Sequence, residues 1–152
     1  MDALTFRRAA SGDLSAIVAL LADDPIGSRR ESAGGLLDPS YTAAFAAIER
    51  DPNQLLTVAE CAGTVIGCLQ LTFIPGLTRR GMWRGQIEGV RITQAERGTG
   101  AGRAMLLWAI EECRKRNCGL VQLTSDKRRT GAHGFYEALG FRATHEGYKL
   151  DL

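Results

Sequence analysis

The sequence predicts one α/β domain over residues 1–152, a mixed, mostly antiparallel twisted sheet flanked by helices. Three observations predict it. Apolar residues recur with period 2 in some segments and period 3.6 in others, in the order β-α-α-β-β-β-α-β-α-β(β). The middle strands are separated by short turns, which makes antiparallel hairpins, whereas the following strand-helix-strand unit needs a parallel crossover. Finally, 152 residues with 45% apolar and 24% charged side chains suit one buried core.

The elements follow in order. Residues 4–8 alternate, with Leu4 and Phe6 on one face, as a short half-buried strand. Ser11 is placed to cap a helix whose Leu14, Ile17, Val18 and Leu21 keep helical spacing up to Asp23-Asp24-Pro25. Residues 26–37 form a polar loop or broken helix with Arg29, Arg30 and Gly34-Gly35. Asp38-Pro39 then caps a helix carrying Tyr41, Ala44, Phe45 and Ile48, stopped by Asp51-Pro52. Residues 55–62 and 64–74 flank Gly63 as a hairpin, with Gly67 at a bulge. After the loop 77–83 comes a strand over 84–92, with Gln86, Glu88, Val90 and Ile92 on one face and Ile87, Gly89 and Arg91 on the other. A helix over about 100–116 carries the stripe Met105, Leu106, Ala109, Ile110 and Cys113 and ends in Arg114, Lys115 and Arg116, which suit its negative pole. Residues 120–124 form a strand, and a helix burying Ala132, Phe135, Tyr136 and Leu139 stops at Gly140. The end, 141–152, reads as a hairpin turning at Glu146-Gly147.

Composition excludes several function classes. A formal net charge of +2 supplies no basic field for nucleic acid. With two histidines, and four cysteines that form no C-x-x-C pair, no metal site is expected. No apolar run approaches the roughly 20 residues of a membrane span, and the N-terminus lacks a signal-peptide core, so the expectation is a cytoplasmic protein with reduced thiols and no membrane partner. Glycine is in excess, 18 of 152 residues, and its placement becomes the question.

The chemical signal is Arg97-Gly98-Thr99-Gly100-Ala101-Gly102-Arg103, between a strand and a helix. A helix N-terminus presents unpaired N–H groups and partial positive charge, and glycine lets an anion reach the backbone. From the residues alone a tight strand-helix turn competes with a phosphate cradle. A dinucleotide fingerprint starting at Gly98 requires glycine where Arg103 stands, and no G-K-[ST] of a Walker loop occurs.

The run V-R-I-T-Q-A-E-R-G-T-G-A-G-R-A-M-L, followed by A-H-G-F-Y-E-A-L-G-F, resembles the GNAT superfamily of acyl-CoA-dependent N-acyltransferases. Arg97, Gly100 and Gly102 fit its pyrophosphate signature [QR]-x-x-G-x-[GA]; Phe135-Tyr136-Glu137 and Leu139-Gly140-Phe141 fit its C-terminal helix and turn. The resemblance spans about residue 55 to the end, and more loosely the two N-terminal helices. It implies a GNAT-like fold, acetyl-CoA as co-substrate, no metal, and cofactor contacts from Val90, Arg91, Ile92, Arg97, Gly98, Thr99, Gly100, Ala101, Gly102, Arg103, Arg129 and Tyr136. Arg129 stands where the family often has asparagine, so that asparagine's pantetheine contact has no equivalent side chain; Lys127, Arg128 and Arg129 read as approaching the cofactor phosphates or as solvated.

Acetyl transfer to an amine needs a base, because an alkylammonium has a pKa near about 10, and it gains from oxyanion donors and a proton for the departing thiolate. Glu88 is the candidate base, directly or through water; the competing reading is a solvent-facing strand glutamate paired with Arg84 or Arg91. Gln86 can position a water. Tyr136 reads from periodicity as a core tyrosine, and the resemblance makes it the acid; the Val90 amide as oxyanion donor is also implied by resemblance. His133 and His145 are weaker candidates, and the cysteines read as core residues. Arg29, Arg30, Arg79, Arg80 and Arg84, with Trp83, fall in the loops expected at the acceptor cleft. They point to a small-molecule or peptide amine carrying carboxylate or phosphate, with solvated loop charges as the alternative. The alternative function is a non-catalytic acyl-CoA-binding sensor or regulatory module. The resemblance allows for a homodimer.

Overall fold

Apolar alternation along the central segments builds the sheet. In the computed structural model, which describes residues 3–152, five strands stand side by side in chain order: β1 (Thr5–Arg8), β2 (Gln54–Cys61), β3 (Thr64–Ile74), β4 (Arg84–Ile92) and β5 (Leu120–Leu123). The first four pair antiparallel and β5 joins β4 in parallel. The β2–β3 hairpin turns at Ala62 and Gly63, with φ of 49° and 75°, the positive pair that a two-residue turn between twisted strands requires. A register shift opposite Ala59 and Glu60 puts a bulge beside Gly67, as the sequence predicts. A Cβ at Gly67 would stand 2.8 Å from the Arg91 carbonyl oxygen, so glycine here admits β4.

The helices are α1 (Leu14–Ala22), α2 (Pro39–Arg50), the single turn α3 (Thr78–Gly81), α4 (Ala101–Lys115) and α5 (Thr130–Glu137). On one face α1 and α2 bring Ile17, Leu20 and Phe45 against Val58 and Cys68. On the other, Met105, Leu106 and Ala109 of α4 pack on Leu69, Leu71, Phe73 and Ile87, with Phe135, Tyr136 and Phe141 at the rim. Asp38 caps α2 as expected, accepting from the Ser40 N–H at 2.8 Å, with Pro39 in the first turn. Ser11, by contrast, does not cap α1. It lies in a 3₁₀ turn (Ser11–Asp13), and the Asp13 carboxylate, held by Arg7, accepts from the Ala10 N–H at 2.7 Å. The charged acceptor is the stronger of the two.

Two further expectations are corrected. Strict alternation along β4 fails: Cys68 pairs with Arg91 and Gln70 with Glu88, so β4 spends one extra residue against β3. The bulge falls at Gly89, whose φ is 62°. Beyond it the faces exchange. Val90 and Ile92 join Ile87 on the α4 side, whereas Glu88 and Arg91 share the α1 side, where Cys68 lies. The terminal hairpin also fails to form: residues 141–152 contain no strand, and no backbone group of 142–152 makes a hydrogen bond among the described residues. Tyr148, Leu150 and Leu152 alternate as in a strand but are exposed. A Cβ on Gly147 would stand 3.7 Å from Thr124, just past β5; without pairing to that edge, the alternation does not make a strand.

Pairing of β4 with β5 ends at Ile87 and Leu123, although β4 continues to Ile92. From Glu88 onward the edge of β4 toward β5 is therefore unpaired. The bulge lies at that point of divergence and opens a gap at the C-terminal ends of two parallel strands, where α/β sheets place ligands.

Candidate active site

At one end of the gap stands the N-terminus of α4. Gly98 and Gly100 have φ of 83° and 97°, and nothing lies within 4 Å of where their Cβ atoms would stand. Left-handed backbone, not crowding, therefore requires glycine at both positions. The turn leaves the N–H groups of Gly98, Gly100, Gly102 and Arg103 without hydrogen-bond partners among the described residues. These residues line a cavity of about 420 Å³ together with Ile92, Glu96, Arg97, Phe135 and Ala138. A Cβ at Gly102 would reach to 3.6 Å from Ile92 and 3.7 Å from Phe135, narrowing that cavity. Free N–H groups at the positive pole of a 15-residue helix attract an anion. Arg103 is exposed on the lining, and Thr99 and Ala101 belong to the same turn. Arg97 spends its guanidinium locally, donating through Nε to the Ile92 carbonyl at 3.2 Å and through Nη2 to the Asp23 carbonyl at 3.1 Å.

The unpaired edge of β4 runs from Glu88 through Val90 to Ile92. Glu88 is exposed, and its side chain makes no hydrogen bond or ion pair among the described residues. The expected competitors for it are engaged elsewhere or unpaired: Arg91 turns to Asp24, and Arg84 makes no ion pair. Gln86 accepts from Gln122 Nε2 at 2.7 Å, which ties the still-paired stretch of β4 to β5.

Tyr136 sits in the last turn of α5, which closes with the Phe141 N–H donating to the Tyr136 carbonyl at 3.1 Å and the Gly140 N–H to the Glu137 carbonyl at 2.9 Å. With Gly140 at φ 91°, this is a Schellman closure, and it brings Phe141 back on Tyr136 with ring centroids 6.0 Å apart. Phe135 flanks the other side at 5.3 Å. The ring is thus fixed while its hydroxyl makes no hydrogen bond among the described residues. Burial raises the Tyr136 phenol pKa above its ordinary value, and the charges of Arg91 and Arg129 oppose that rise.

Those arginines meet at Asp24, which in the sequence marks only a helix end. Asp24 accepts from Arg129 Nη2 at 2.8 Å and pairs with Arg91 Nη2 at 3.1 Å; its side chain is 8% exposed. The Ile26 and Gly27 N–H groups also donate to it, each at 2.9 Å. Burial works against its charge, but the hydrogen bonds of Gly27, Ile26 and Arg129 and the charge of Arg91 prevail, bringing the carboxyl down to about 2. Arg91 also donates to the Val90 carbonyl at 2.8 Å. Arg129, partly exposed, is thus bonded to Asp24, and Arg128 folds onto Asp126 at 2.7 Å. The one signal for Asp24 in the chain was the acidic doublet before Pro25; its partners lie far off in sequence.

His133 Nε2 lies 3.3 Å from the Asp126 carbonyl, and His145 is exposed and bonded to Thr144. Arg29, Arg30, Arg79 and Arg80 are exposed and make no ion pair among the described residues. Cys68 and Cys113 are buried, and burial pushes each thiol up to about 12. Among the described residues, no cluster of His, Cys, Asp and Glu is placed to hold a metal, and no helix is long and apolar enough to cross a membrane.

A family model described as Acetyltransferase (GNAT) family matches residues 15–141. A glucosamine 6-phosphate N-acetyltransferase of Trypanosoma brucei brucei is 37% identical over 90 residues, 59% of this chain and 59% of that protein, so the match spans about three-fifths of that relative's length. An aminoalkylphosphonate N-acetyltransferase of Salmonella typhimurium is 31% identical over 106 residues, 70% of this chain and 68% of its own. A solved structure described as a transcriptional regulator from Bacillus halodurans C-125 superposes with a TM-score of 0.96 at 47% identity, over 99% of this chain and 100% of that one.

Proposed function

The chain belongs to the acetyltransferase (GNAT) family, and from that premise we propose that it moves the acetyl group of acetyl-CoA to the primary amine of a small molecule, by direct attack with both substrates bound. The observation that carries this reading is the run of unpaired N–H groups at Gly98, Gly100, Gly102 and Arg103 beside the open edge of β4. A pyrophosphate suits the first and an extended amide-bearing arm suits the second, as an added strand would. The thioester supplies an activated acyl group, so no covalent acyl-enzyme is needed.

The residues then take distinct tasks. The Val90 and Ile92 backbone holds the arm of the co-substrate, and the Val90 amide donates to the oxyanion. Glu88, exposed and unpaired, accepts the amine proton directly or through water. Tyr136, held between two aromatic rings with a free hydroxyl, donates its proton to the departing sulfur. We take the acceptor to be an amine that also carries phosphate, phosphonate or carboxylate. The names of the two curated relatives described above put a phosphorus oxyanion on an amine, and Arg29, Arg30, Arg79 and Arg80 offer positive charge with no ion pair among the described residues. A cytoplasmic setting belongs to the same proposal, supported by the buried thiols of Cys68 and Cys113.

A second reading, a non-catalytic acyl-CoA-binding regulatory module, is favoured by the regulator description of the Bacillus halodurans structure. Thermal unfolding with saturating acetyl-CoA tests both: each expects a rise in Tm of several degrees, and no rise overturns both. Amine-dependent release of free thiol then selects the enzyme, and binding without release selects the module.

A further inference from the structure

We propose that Asp24 is a positioning residue: it holds the guanidiniums of Arg91 and Arg129 across the gap between β4 and α5, so that their charges flank the Tyr136 hydroxyl where the departing sulfur would stand. The proposal rests on the reading of Tyr136 as the proton donor and assigns a task to three residues that this reading leaves without one.

The geometry is that of a strap. Arg91 comes from β4, just past the bulge, and Arg129 from the residue before α5. The two segments flank the gap and share no strand pairing, since β5 leaves β4 at Ile87. Asp24, from the loop after α1, contacts both, at 3.1 Å and 2.8 Å, and is itself fixed by two backbone N–H groups. A fixed carboxylate paired with two guanidiniums sets where both charges sit. Asp24 Oδ2 faces Arg91 Nη2 at 3.1 Å as an ion pair without hydrogen-bond geometry, and Arg91 Nε is buried without a hydrogen-bond partner among the described residues. Structures rarely leave a buried guanidinium N–H unmet, and here the unmet donor lies in the group that bears on Tyr136.

The chemistry needs such charges. When the C–S bond breaks, its electron pair goes to sulfur and the Tyr136 O–H proton follows, leaving a phenolate that regains its proton from water. The proton taken from the amine leaves through Glu88 to solvent, so thioester and amine become thiol and amide. Thiolate and phenolate in turn carry negative charge in a half-buried place, and two guanidinium charges held near it lower the cost of both. Arg91 and Arg129 are the charged groups that bear on the phenol, and the rings packed against it, Phe135 and Phe141, are apolar.

The test is a titration of the Tyr136 phenol by ultraviolet difference absorbance, each protein being measured against its Tyr136→Phe counterpart to remove Tyr41 and Tyr148. In Asp24→Asn the guanidiniums lose their anchor, and the phenol midpoint is expected to rise by about one pH unit, the displacement of two positive charges outweighing the removal of one negative charge. At the same time kcat falls about 10-fold or more, while the KM for acetyl-CoA stays within about 3-fold. A midpoint that stays put or falls overturns the proposal, even if Tm drops, because a merely structural role moves Tm and not the phenol. If Asp24→Asn does not fold, Arg129→Gln keeps the Asp24 bonds to Arg91, Ile26 and Gly27, and the same rise is expected; an unchanged midpoint there is equally fatal. Full turnover in Tyr136→Phe would overturn the proton-donor reading instead, and it is separable because the titration needs no turnover.

Discussion

Gly100 holds φ at 97° with open space around its absent Cβ, so its replacement tests conformation without a steric clash. Gly100→Ala is expected to cost about 1–2 kcal/mol, a fall in Tm of roughly 3–6 °C, and to weaken acetyl-CoA about 10-fold by turning the cradle N–H groups, as calorimetric titration would read. Glu88→Gln should do the opposite: Tm and the acetyl-CoA thermal shift stay unchanged while kcat/KM at neutral pH falls about 100-fold. Equal loss of cofactor binding would place Glu88 in the cradle's support and not at the amine. Both residues were legible in the sequence, because a glycine run before a helix and a carboxylate on a strand beside it are local signals. Asp24 was not, since its meaning lies in Arg91 and Arg129, which only folding brings to it.

At the scale of elements, the loop after α1 is joined to β4 and α5 by charge, and the joint has a pH signature. Asp24 is held at about 2 in the folded chain against about 4 unfolded. Its contribution, about 2 kcal/mol, is therefore fully present above about pH 4 and is lost as pH falls toward 2. Chemical denaturation from pH 5 to 2 is expected to show that loss in the parent chain and a flatter profile in Asp24→Asn; parallel profiles would deny the strap its energy. The order and type of the elements were readable because hairpin turns, caps and helical stripes are short-range patterns. The faces of β4 were not: period-2 reading assumes an unbroken pleat, and the bulge at Gly89 sends Val90 and Ile92 to the α4 side and Arg91 to the α1 side. The bulge matters for the site, because it parts Glu88 from Val90 and Ile92, which strict alternation would put on the same face.

For the whole molecule, the sheet ends in a four-residue β5 whose pairing with β4 stops where the gap begins, and the chain then runs on through 141–152 without strand pairing. The tail has the alternation of a strand, and alternation names a face without naming what covers it. Because residues 142–152 bury little of the core, deleting them is expected to change the Tm of dilute protein by less than about 2 °C. A larger loss that grows with protein concentration in the intact chain would show that copies pair through this tail. The central claim concerns the molecule as a catalyst, and the most direct test of it is initial-rate release of free thiol from acetyl-CoA. The rate would be compared across amines that carry a phosphate, phosphonate or carboxylate and across polyamines. The account predicts amine-dependent release, fastest with the anionic amines and reduced about 100-fold in Glu88→Gln; binding of acetyl-CoA with no amine-dependent release from any of them would contradict it.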